Sequence, residues 1–260
     1  MTSSVLITGA GSGIGQALAI EAVKRGYNVF VLGRRRGALE KTCTLAGIPN
    51  DNIIKADLTK ASDRAWAKSQ LPSKLDILIN NAGALEVGKY DDLTDEAIAQ
   101  ILAINVAAPI SLTRDLLTNL EEAKGRVVNV GSVFGDIGYP YFALYSATKF
   151  AVRGFSEALR RELHHRGVSV TYIAPRATQT EATSTFDHLI EPMQMNVDSA
   201  QKVAIDVWNG IEKGKRDVYA KGAERIFVWL QRLLPSLIDR NLRKLPLNPK
   251  ISNIINIKGK

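Results

Sequence analysis

Short apolar runs alternate with longer amphipathic stretches over most of the chain. The runs are rich in β-branched residues and apolar at consecutive positions, which is typical of strands buried on both faces of a sheet. The longer stretches repeat their apolar residues at helical spacing. Strands are predicted at residues 4–8, 28–32, 53–55, 75–80, 126–130, 168–174 and 216–220. Helices are predicted at residues 13–25, 37–46, 61–69, 95–120, 145–166 and 199–214.

This alternation of strand and helix predicts the overall architecture. It favours an α/β fold with a Rossmann-type doubly wound parallel sheet. A chain of 260 residues can form one such domain, and no Pro/Gly/Ser-rich linker divides it. We therefore expect a single domain over residues 1–221, followed by a C-terminal amphipathic helical extension over residues 222–260. Within the domain, Pro109 is expected to bend or interrupt the long fourth helix.

Residues 176–198 break the alternation, because they show no clear periodicity. They follow directly after a predicted strand, at the edge where α/β folds place their ligands. A mobile lid over a binding site is one interpretation of this segment. An irregular connection without a role in binding is the other.

A glycine-rich turn joins the first predicted strand to the first predicted helix. Glycines allow the backbone to turn tightly and to approach a pyrophosphate, and the helix N-terminus offers free N–H groups to its oxygens. A loop with several glycines is weak evidence alone, but the strand–turn–helix context favours a dinucleotide site. The candidate residues are Thr8, Gly9, Gly11, Ser12, Gly13, Ile14 and Gly15.

The end of the second predicted strand bears on the choice of cofactor. An NAD site usually has an acidic residue here, which binds the ribose 2′-hydroxyl. This chain has Gly33 instead, followed by Arg34, Arg35 and Arg36. A guanidinium binds a phosphate bidentately, so the pattern predicts NADP(H) in preference to NAD(H), with Arg34 and then Arg35 as contacts. The alternative is an ordinary solvated basic turn.

The third and fourth predicted strands end in further candidate contacts for a cofactor. Asp57, which precedes Leu58, could accept a hydrogen bond from the adenine amino group, or it could cap the next helix. Asn81, Ala82 and Gly83 follow the fourth strand, where an amide could tie neighbouring backbone and glycine could allow the ribose to approach.

Tyr145 and Lys149 are four residues apart on a predicted helix, so their side chains share one face. An ammonium beside a phenol stabilises the phenolate, and the pair therefore predicts a tyrosine whose pKa is lowered for acid–base work. Ser132 closes the fifth strand, where its hydroxyl could bind a substrate oxygen or cap a turn. Asn105 is a polar residue within an apolar helix, which indicates either a packing bond or a contact with a functional water.

Taken together, these motifs resemble the short-chain dehydrogenase/reductase family over about residues 4–220. The resemblance implies that Asn105, Ser132, Tyr145 and Lys149 form a catalytic tetrad: Tyr145 as acid/base, Ser132 polarising the oxygen, Lys149 binding ribose and Asn105 holding a water. It adds Pro175, Thr178 and Thr180 as cofactor contacts. Arg176 departs from the family pattern, which has glycine there; bracing the lid, meeting an acidic substrate group and solvent exposure all remain open.

The net charge of +8 is unevenly distributed. Residues 213–260 hold twelve Lys/Arg and three Asp/Glu, so the rest of the chain is nearly neutral. Within residues 224–245, apolar residues recur at helical spacing beside arginines, as in helices that lie on membranes. An anionic membrane surface, a subunit contact and packing on the domain itself are the alternatives for this segment. Nucleic acid is not expected, and residues 251–260 are expected to be frayed.

These observations predict an NADPH-dependent oxidoreductase that reduces the carbonyl group of a lipophilic small molecule, or oxidises the matching alcohol, by hydride transfer. A nucleotide-binding regulator or scaffold without turnover is the non-enzymatic alternative. The first apolar run begins at residue 5 and the chain has one cysteine, so we expect a cytoplasmic protein, peripheral on the inner face of a membrane if the extension binds lipid. No metal site is expected, and the resemblance implies a homodimer or homotetramer.

Overall fold

A seven-stranded, all-parallel sheet forms the centre of the computed structural model, which describes residues 2–181, 183–222 and 224–258. The strands are β1 Ser4–Thr8, β2 Asn28–Gly33, β3 Ile53–Lys55, β4 Ile77–Asn80, β5 Arg126–Val130, β6 Ser169–Ala174, β7 Thr178–Gln179, β8 Asp198–Ser199 and β9 Asp217–Tyr219. The strand order β3-β2-β1-β4-β5-β6-β9 changes direction between β1 and β4, and α/β folds bind ligands at such a point. A separate two-stranded ladder pairs β7 with β8.

Helices cover both faces of the sheet, which confirms the doubly wound architecture. Successive residues of β1 point to opposite faces: Val5 and Ile7 join one buried apolar cluster and Leu6 joins the other. The α-helices are α1 Gly13–Lys24, α2 Arg36–Ala46, α3 Ala61–Ser69, α4 Asp95–Leu102, α5 Ala108–Asp115, α6 Leu117–Ala123, α7 Ala143–Leu163, α8 Asp187–Ile190, α9 Ala200–Glu212, α10 Glu224–Leu233, α11 Pro235–Leu242 and α12 Pro249–Lys258.

The long fourth helix differs from the sequence prediction in where it is interrupted. A π-helical turn, Ala103–Ala107, separates α4 from α5, and Pro109 lies in the first turn of α5, where a missing N–H is tolerated. The span Asp95–Asp115 is long and apolar enough to cross a membrane by length and composition alone. Here it contacts α7 and α3, as a core helix of a layered α/β fold does.

The C-terminal helices pack against the domain. Val228 of α10 and Ile238 of α11 are buried against Ile137 in a small apolar cluster. Ile251 and Ile255 of α12 are buried beside Phe142 and apolar residues of the segment 176–198. The expectation of a frayed end over residues 251–260 is therefore wrong at Ile251 and Ile255, because their side chains pack against apolar neighbours; residues 259–260 lie outside the described residues.

Candidate active site

A cavity of about 480 Å³ opens at the carboxyl ends of the central strands. One part of its wall is the glycine-rich turn after β1, and the opposite part is the segment 176–198 together with α10. Tyr145 and Lys149 line it from α7, and Ser132 lines it from the end of β5. The cavity therefore brings the predicted dinucleotide turn and the predicted acid–base residues into one space.

Backbone conformation at the turn requires glycine at two positions. Gly9 and Gly13 have φ of +66° and +55°, in the left-handed region that other residues avoid. A Cβ on Gly13 would lie 2.9 Å from Cγ2 of Thr180, so the segment 176–198 approaches this turn closely. Ser12 is the N-cap of α1 without a side-chain capping bond, and the first turn of α1 carries no acidic residue. This helix N-terminus suits an anionic pyrophosphate.

Thr8 and Asn81 hold the turn in place. The Thr8 hydroxyl accepts hydrogen bonds from the backbone N–H groups of Asn81 and Ala82, each at 3.0 Å. The Asn81 amide donates to the carbonyl oxygens of Thr8 at 2.9 Å and Gly9 at 3.3 Å. These bonds link the ends of β1 and β4, the two strands that border the switch point.

Two of the arginines after β2 line the same cavity. Arg34 and Arg35 both line it, and Arg35 donates to the Glu181 carboxylate at 2.8 Å and to the Ser12 hydroxyl at 3.4 Å. Arg36 instead pairs with Glu40 along α2. Two of the three arginines are therefore placed to meet an anion in the cleft, and Arg35 already binds a carboxylate of the segment 176–198.

Most of the predicted cofactor residues line the cavity, and four do not. Thr8 and Gly15 act inside the turn: a Cβ on Gly15 would lie 2.2 Å from the carbonyl oxygen of Gly9. The Asp57 carboxylate accepts from the N–H and hydroxyl of Thr59, which lowers its pKa, whereas the N-cap of α3 is Lys60. Asn105 is the fourth. The predicted residues on the wall are Gly9, Gly11, Ser12, Gly13, Ile14, Arg34, Arg35, Leu58, Asn81, Ala82, Gly83, Tyr145, Lys149, Pro175, Thr178 and Thr180.

The electrostatics of Tyr145 and Lys149 differ from the sequence prediction. Burial raises the pKa of Tyr145 to about 12, and a hydrogen bond with Ser132 opposes the shift. Lys149 Nζ lies 5.5 Å from the centre of the Tyr145 ring and donates to the carbonyl oxygen of Val130 at 3.0 Å. Burial lowers the pKa of Lys149 to about 8. The expected lowering of the tyrosine pKa is therefore wrong for this structure, because burial favours the neutral form of both groups.

A tyrosine that the sequence analysis did not single out forms a hydrogen bond with the backbone of Ser132. Tyr172, on β6, donates from its hydroxyl to the carbonyl oxygen of Ser132 at 3.0 Å. Its ring fills the space that side chains at Gly131 and Gly135 would need, since a Cβ at either would lie within 2.6 Å of Tyr172 atoms. The Ser132 hydroxyl also accepts from the N–H of Phe134 at 3.2 Å, so it is held at the start of a short turn.

Asn105 is buried in the π-helical turn and does not line the cavity. Its side chain accepts from the N–H of Ala84 and donates to the carbonyl oxygen of Ala84, both at 2.8 Å, and donates to the Thr148 hydroxyl at 3.1 Å. The amide therefore ties the loop after β4 to α7. Pro109, four residues later, has no N–H to give to the Asn105 carbonyl in the usual helical pattern.

Arg176 forms ion pairs that hold the ends of the segment 176–198 together. Its guanidinium donates two bonds to the Asp198 carboxylate, at 2.8 and 2.9 Å, and one to Glu224 at 2.9 Å. It thus links the two ends of the segment 176–198 to each other and to the start of α10. These bonds agree with the bracing alternative, and Arg176 also lines the cavity, so a contact with an acidic substrate group stays a prediction.

The remaining wall of the cavity is largely aromatic and sulfur-containing. Phe134 stacks on Tyr139, with ring centres 4.5 Å apart, and meets Tyr145 edge to face at 6.2 Å. Phe142, Phe186, Met193, Met195 and Phe227 complete this side. A phenol with a bound proton thus faces an apolar chamber, an arrangement that can protonate a carbonyl oxygen on an apolar molecule.

Comparison with known proteins agrees with this geometry. The family model described as short chain dehydrogenase matches residues 3–189. The chain is 31% identical over 245 residues to 11-beta-hydroxysteroid dehydrogenase-like 4A of Arabidopsis thaliana. This alignment covers 90% of this chain and 81% of that protein. It is 38% identical over 189 residues to serine 3-dehydrogenase of Agrobacterium fabrum, and that alignment covers 70% of this chain and 75% of the relative.

A solved structure extends the agreement to the fold. A short-chain dehydrogenase from Sphingobium yanoikuyae, in complex with NADPH, superposes with a TM-score of 0.76 at 27% identity. The match covers 91% of this chain and 95% of that one. With the family model spanning well over half of the residues and the glycine turn, Ser132, Tyr145 and Lys149 meeting in one cavity, the chain belongs to the short-chain dehydrogenase/reductase family.

Proposed function

We propose that this oxidoreductase uses NADPH to reduce the carbonyl group of a lipophilic small molecule. The observation that carries the proposal is the neutral phenol of Tyr145, held beside Ser132 and Lys149 in the same cavity as the glycine turn and the two arginines. The reverse oxidation of the matching alcohol uses the same residues with the opposite proton movement.

The residues of the cavity fit a dinucleotide. The glycine turn and the N-terminus of α1 would hold its pyrophosphate, because Gly9 and Gly13 leave space where a Cβ would stand. Leu58 and Gly83 would border its adenosine part, and Lys149 its nicotinamide ribose. When bound, the reduced nicotinamide supplies the hydride.

Tyr145 supplies the proton in this proposal. Reduction of a carbonyl requires a proton at the oxygen, and a phenol whose pKa burial raises to about 12 carries that proton at every physiological pH. The Ser132 hydroxyl would donate a hydrogen bond to the same oxygen as negative charge develops there. Oxidation would run this proton transfer in reverse, with the phenolate accepting the proton, so Tyr145 would serve both directions.

The two arginines after β2 support NADPH rather than NADH. Family membership does not choose between these cofactors, but β2 ends in Gly33 rather than in a carboxylate that would repel a 2′-phosphate. Arg35 binds the Glu181 carboxylate in this structure, so its guanidinium is already oriented toward an anion at this edge. Arg34 lies beside it on the cavity wall.

We expect wild-type protein to bind NADPH at least about tenfold more tightly than NADH, since a hydrogen-bonded charge pair contributes about 1.5–3 kcal/mol. The Arg34→Ala/Arg35→Ala double variant should lose most of that preference by weakening NADPH binding alone. Calorimetry or cofactor fluorescence measures both dissociation constants without turnover.

Arg36→Ala is the matched control for this prediction, because Arg36 pairs with Glu40 and does not line the cavity. It should retain the wild-type ratio of dissociation constants. A wild-type preference for NADH of tenfold or more would contradict the assignment of the arginines.

The wall of the chamber supports a lipophilic substrate. Phe134, Phe142 and Met193 line it, and the Arabidopsis relative carries a hydroxysteroid dehydrogenase name. The Agrobacterium relative is named for serine, a small polar alcohol. The two names define contrasting probes for the same site.

A screen of carbonyl compounds tests the proposed reaction. Aliphatic, aromatic and steroid ketones would be incubated with protein and NADPH, and serine with NADP⁺, with the products identified by mass spectrometry. Aromatic or steroid ketones should be reduced to alcohols, at a higher kcat/KM than serine is oxidised. Oxidation of serine with no reduction of any ketone would reject the proposed substrate class.

A further inference from the structure

The helix α10 has two apolar faces, and only one of them packs on the domain. Val228 is buried, whereas Ile226, Trp229 and Leu233 leave 67%, 64% and 56% of their surface exposed. These three residues are spaced i, i+3 and i+7, so they form one stripe along the helix.

The exposed stripe continues beyond the end of α10. Leu234 in the turn and Leu237 in α11 are also exposed, while Ile238 is buried against the domain. Monomeric soluble proteins seldom expose a run of large apolar residues of this kind. The stripe therefore indicates an interaction surface, which we call the α10–α11 surface and define by Ile226, Trp229, Leu233, Leu234 and Leu237.

Basic side chains accompany this surface. The exposed cations of α10, α11 and the turn after them are Arg225, Arg240, Arg243 and Lys244. Arg232 is half exposed and donates to the buried Asp136 carboxylate of the domain. The acidic residues of the span 224–247 are Glu224, which binds Arg176, and Asp239. The surface thus combines an apolar stripe, an indole and a surplus of positive charge.

This charge distribution decides between two binding partners for the α10–α11 surface, a second copy of the chain and an anionic lipid bilayer. In a two-fold contact with a second copy of the chain, the same patch meets itself, so arginine would face arginine around the apolar stripe. An anionic lipid bilayer offers acyl chains to the stripe and negative headgroups to the arginines, and tryptophan is enriched at that depth of a membrane. Charge complementarity therefore favours the bilayer.

We infer that the α10–α11 surface docks this protein on an anionic lipid bilayer. The domain remains outside the membrane, with Trp229 and Leu233 inserted among the headgroups. Phe227 of the same helix lines the cavity, so docking brings the mouth of the substrate chamber close to the lipid. That last point rests on the proposed function, whereas docking itself does not.

Vesicle co-sedimentation of the full chain, with no substrate or cofactor, tests the docking. The vesicles are pure phosphatidylcholine or phosphatidylcholine with about 30% phosphatidylserine, a lipid whose negative charge attracts basic segments. Wild-type protein should partition at least about tenfold more strongly to the anionic vesicles, and Trp229→Ser/Leu233→Ser should lose at least about tenfold of that binding, as expected for two buried apolar side chains.

Trp66→Ser is the matched control, because this indole on α3 is also 54% exposed but lies away from the surface. It should bind vesicles as the wild type does. Equal binding by the wild type and Trp229→Ser/Leu233→Ser would overturn the inference. So would a change of oligomeric state in that variant by analytical ultracentrifugation with unchanged vesicle binding, which would assign the surface to a second copy.

Tryptophan fluorescence provides an independent readout of depth. The chain has three tryptophans, and Trp208 is fully buried, so in a Trp66→Phe background the lipid-dependent signal comes from Trp229. Anionic vesicles should shift its emission to shorter wavelength, and lipids brominated near the headgroup should quench it. Vesicle binding without quenching of Trp229 would contradict insertion of this surface.

Discussion

Replacing Tyr145 with phenylalanine is expected to lower kcat for ketone reduction by about 10²–10⁴-fold, the range that a positioned general acid contributes. The change removes only the hydroxyl and keeps the ring that meets Phe134 edge to face. NADPH should therefore bind with nearly unchanged affinity, since the glycine turn and the arginines remain intact. Steady-state kinetics and a direct binding measurement together separate loss of the acid from loss of the fold.

Tyr141→Phe is the matched control for that change, because Tyr141 lies four residues earlier and does not line the cavity. Its kcat should remain within about twofold of the wild-type value, as for most changes away from the reacting groups. If Tyr145→Phe keeps wild-type turnover, another group donates the proton and the proposed mechanism is wrong. If the wild type reduces no carbonyl compound yet binds NADPH, the non-catalytic alternative gains support.

The second large effect concerns the fold around Ser132. Asp136, in the loop that follows Ser132, is buried and accepts bonds from Arg153, Tyr219 and Arg232. Burial raises the pKa of Asp136, while Arg153 opposes that shift. Because Arg232 belongs to α10, this carboxylate also fastens the C-terminal helices to the domain.

Asp136→Ala should lower the free energy of unfolding by about 3–5 kcal/mol, because it removes the buried partner of a largely buried ion pair and leaves the Arg153 guanidinium without its main acceptor. For a chain of this size, that loss corresponds to a fall in Tm of roughly 6–20 °C. Denaturant unfolding and calorimetry measure the two quantities. The variant should also reduce turnover more than a surface change does, because the loop holding Ser132 loses its anchor.

Glu40→Ala provides the comparison for Asp136, since the pair of Glu40 and Arg36 is about half exposed on the surface of α2. Its removal should cost no more than about 1 kcal/mol, the usual range for an exposed pair. Equal and small losses in both variants would show that the cluster around Asp136 does not stabilise the fold.

The sequence predicted the architecture well because its signals are local. Continuous apolar strands, the glycine turn after β1 and the Tyr145–Lys149 spacing each depend on neighbours in the chain, and the family model agrees with them. The predicted sites at Ser132, Tyr145 and Lys149 meet in one cavity because each lies at or beyond the carboxyl end of a strand.

The remaining features depend on contacts between residues far apart in the chain. The bonds of Arg176 to Asp198 and Glu224 span 22 and 48 residues, and Tyr172 supports Ser132 across 40 residues. The raised pKa of Tyr145 results from burial, which spacing on a helix does not reveal. The glycines Gly131 and Gly135 are visible in the sequence, but the reason for them is the close approach of Tyr172, which only the structure shows.

The pH dependence of reduction tests the central claim most directly, namely that a neutral phenol donates the proton beside a cationic amine. The measurement is kcat/KM for the ketone at saturating NADPH, which includes the proton-transfer step and reports the groups of the enzyme before the ketone binds. Tyr145 keeps its proton across the accessible range, whereas Lys149 loses its charge near pH 8. We predict a constant value between about pH 6.5 and 7.5 and a fall of about tenfold per pH unit well above 8. A value that rises from pH 7 to pH 9 would contradict the account, because it would require a deprotonated group for the reaction.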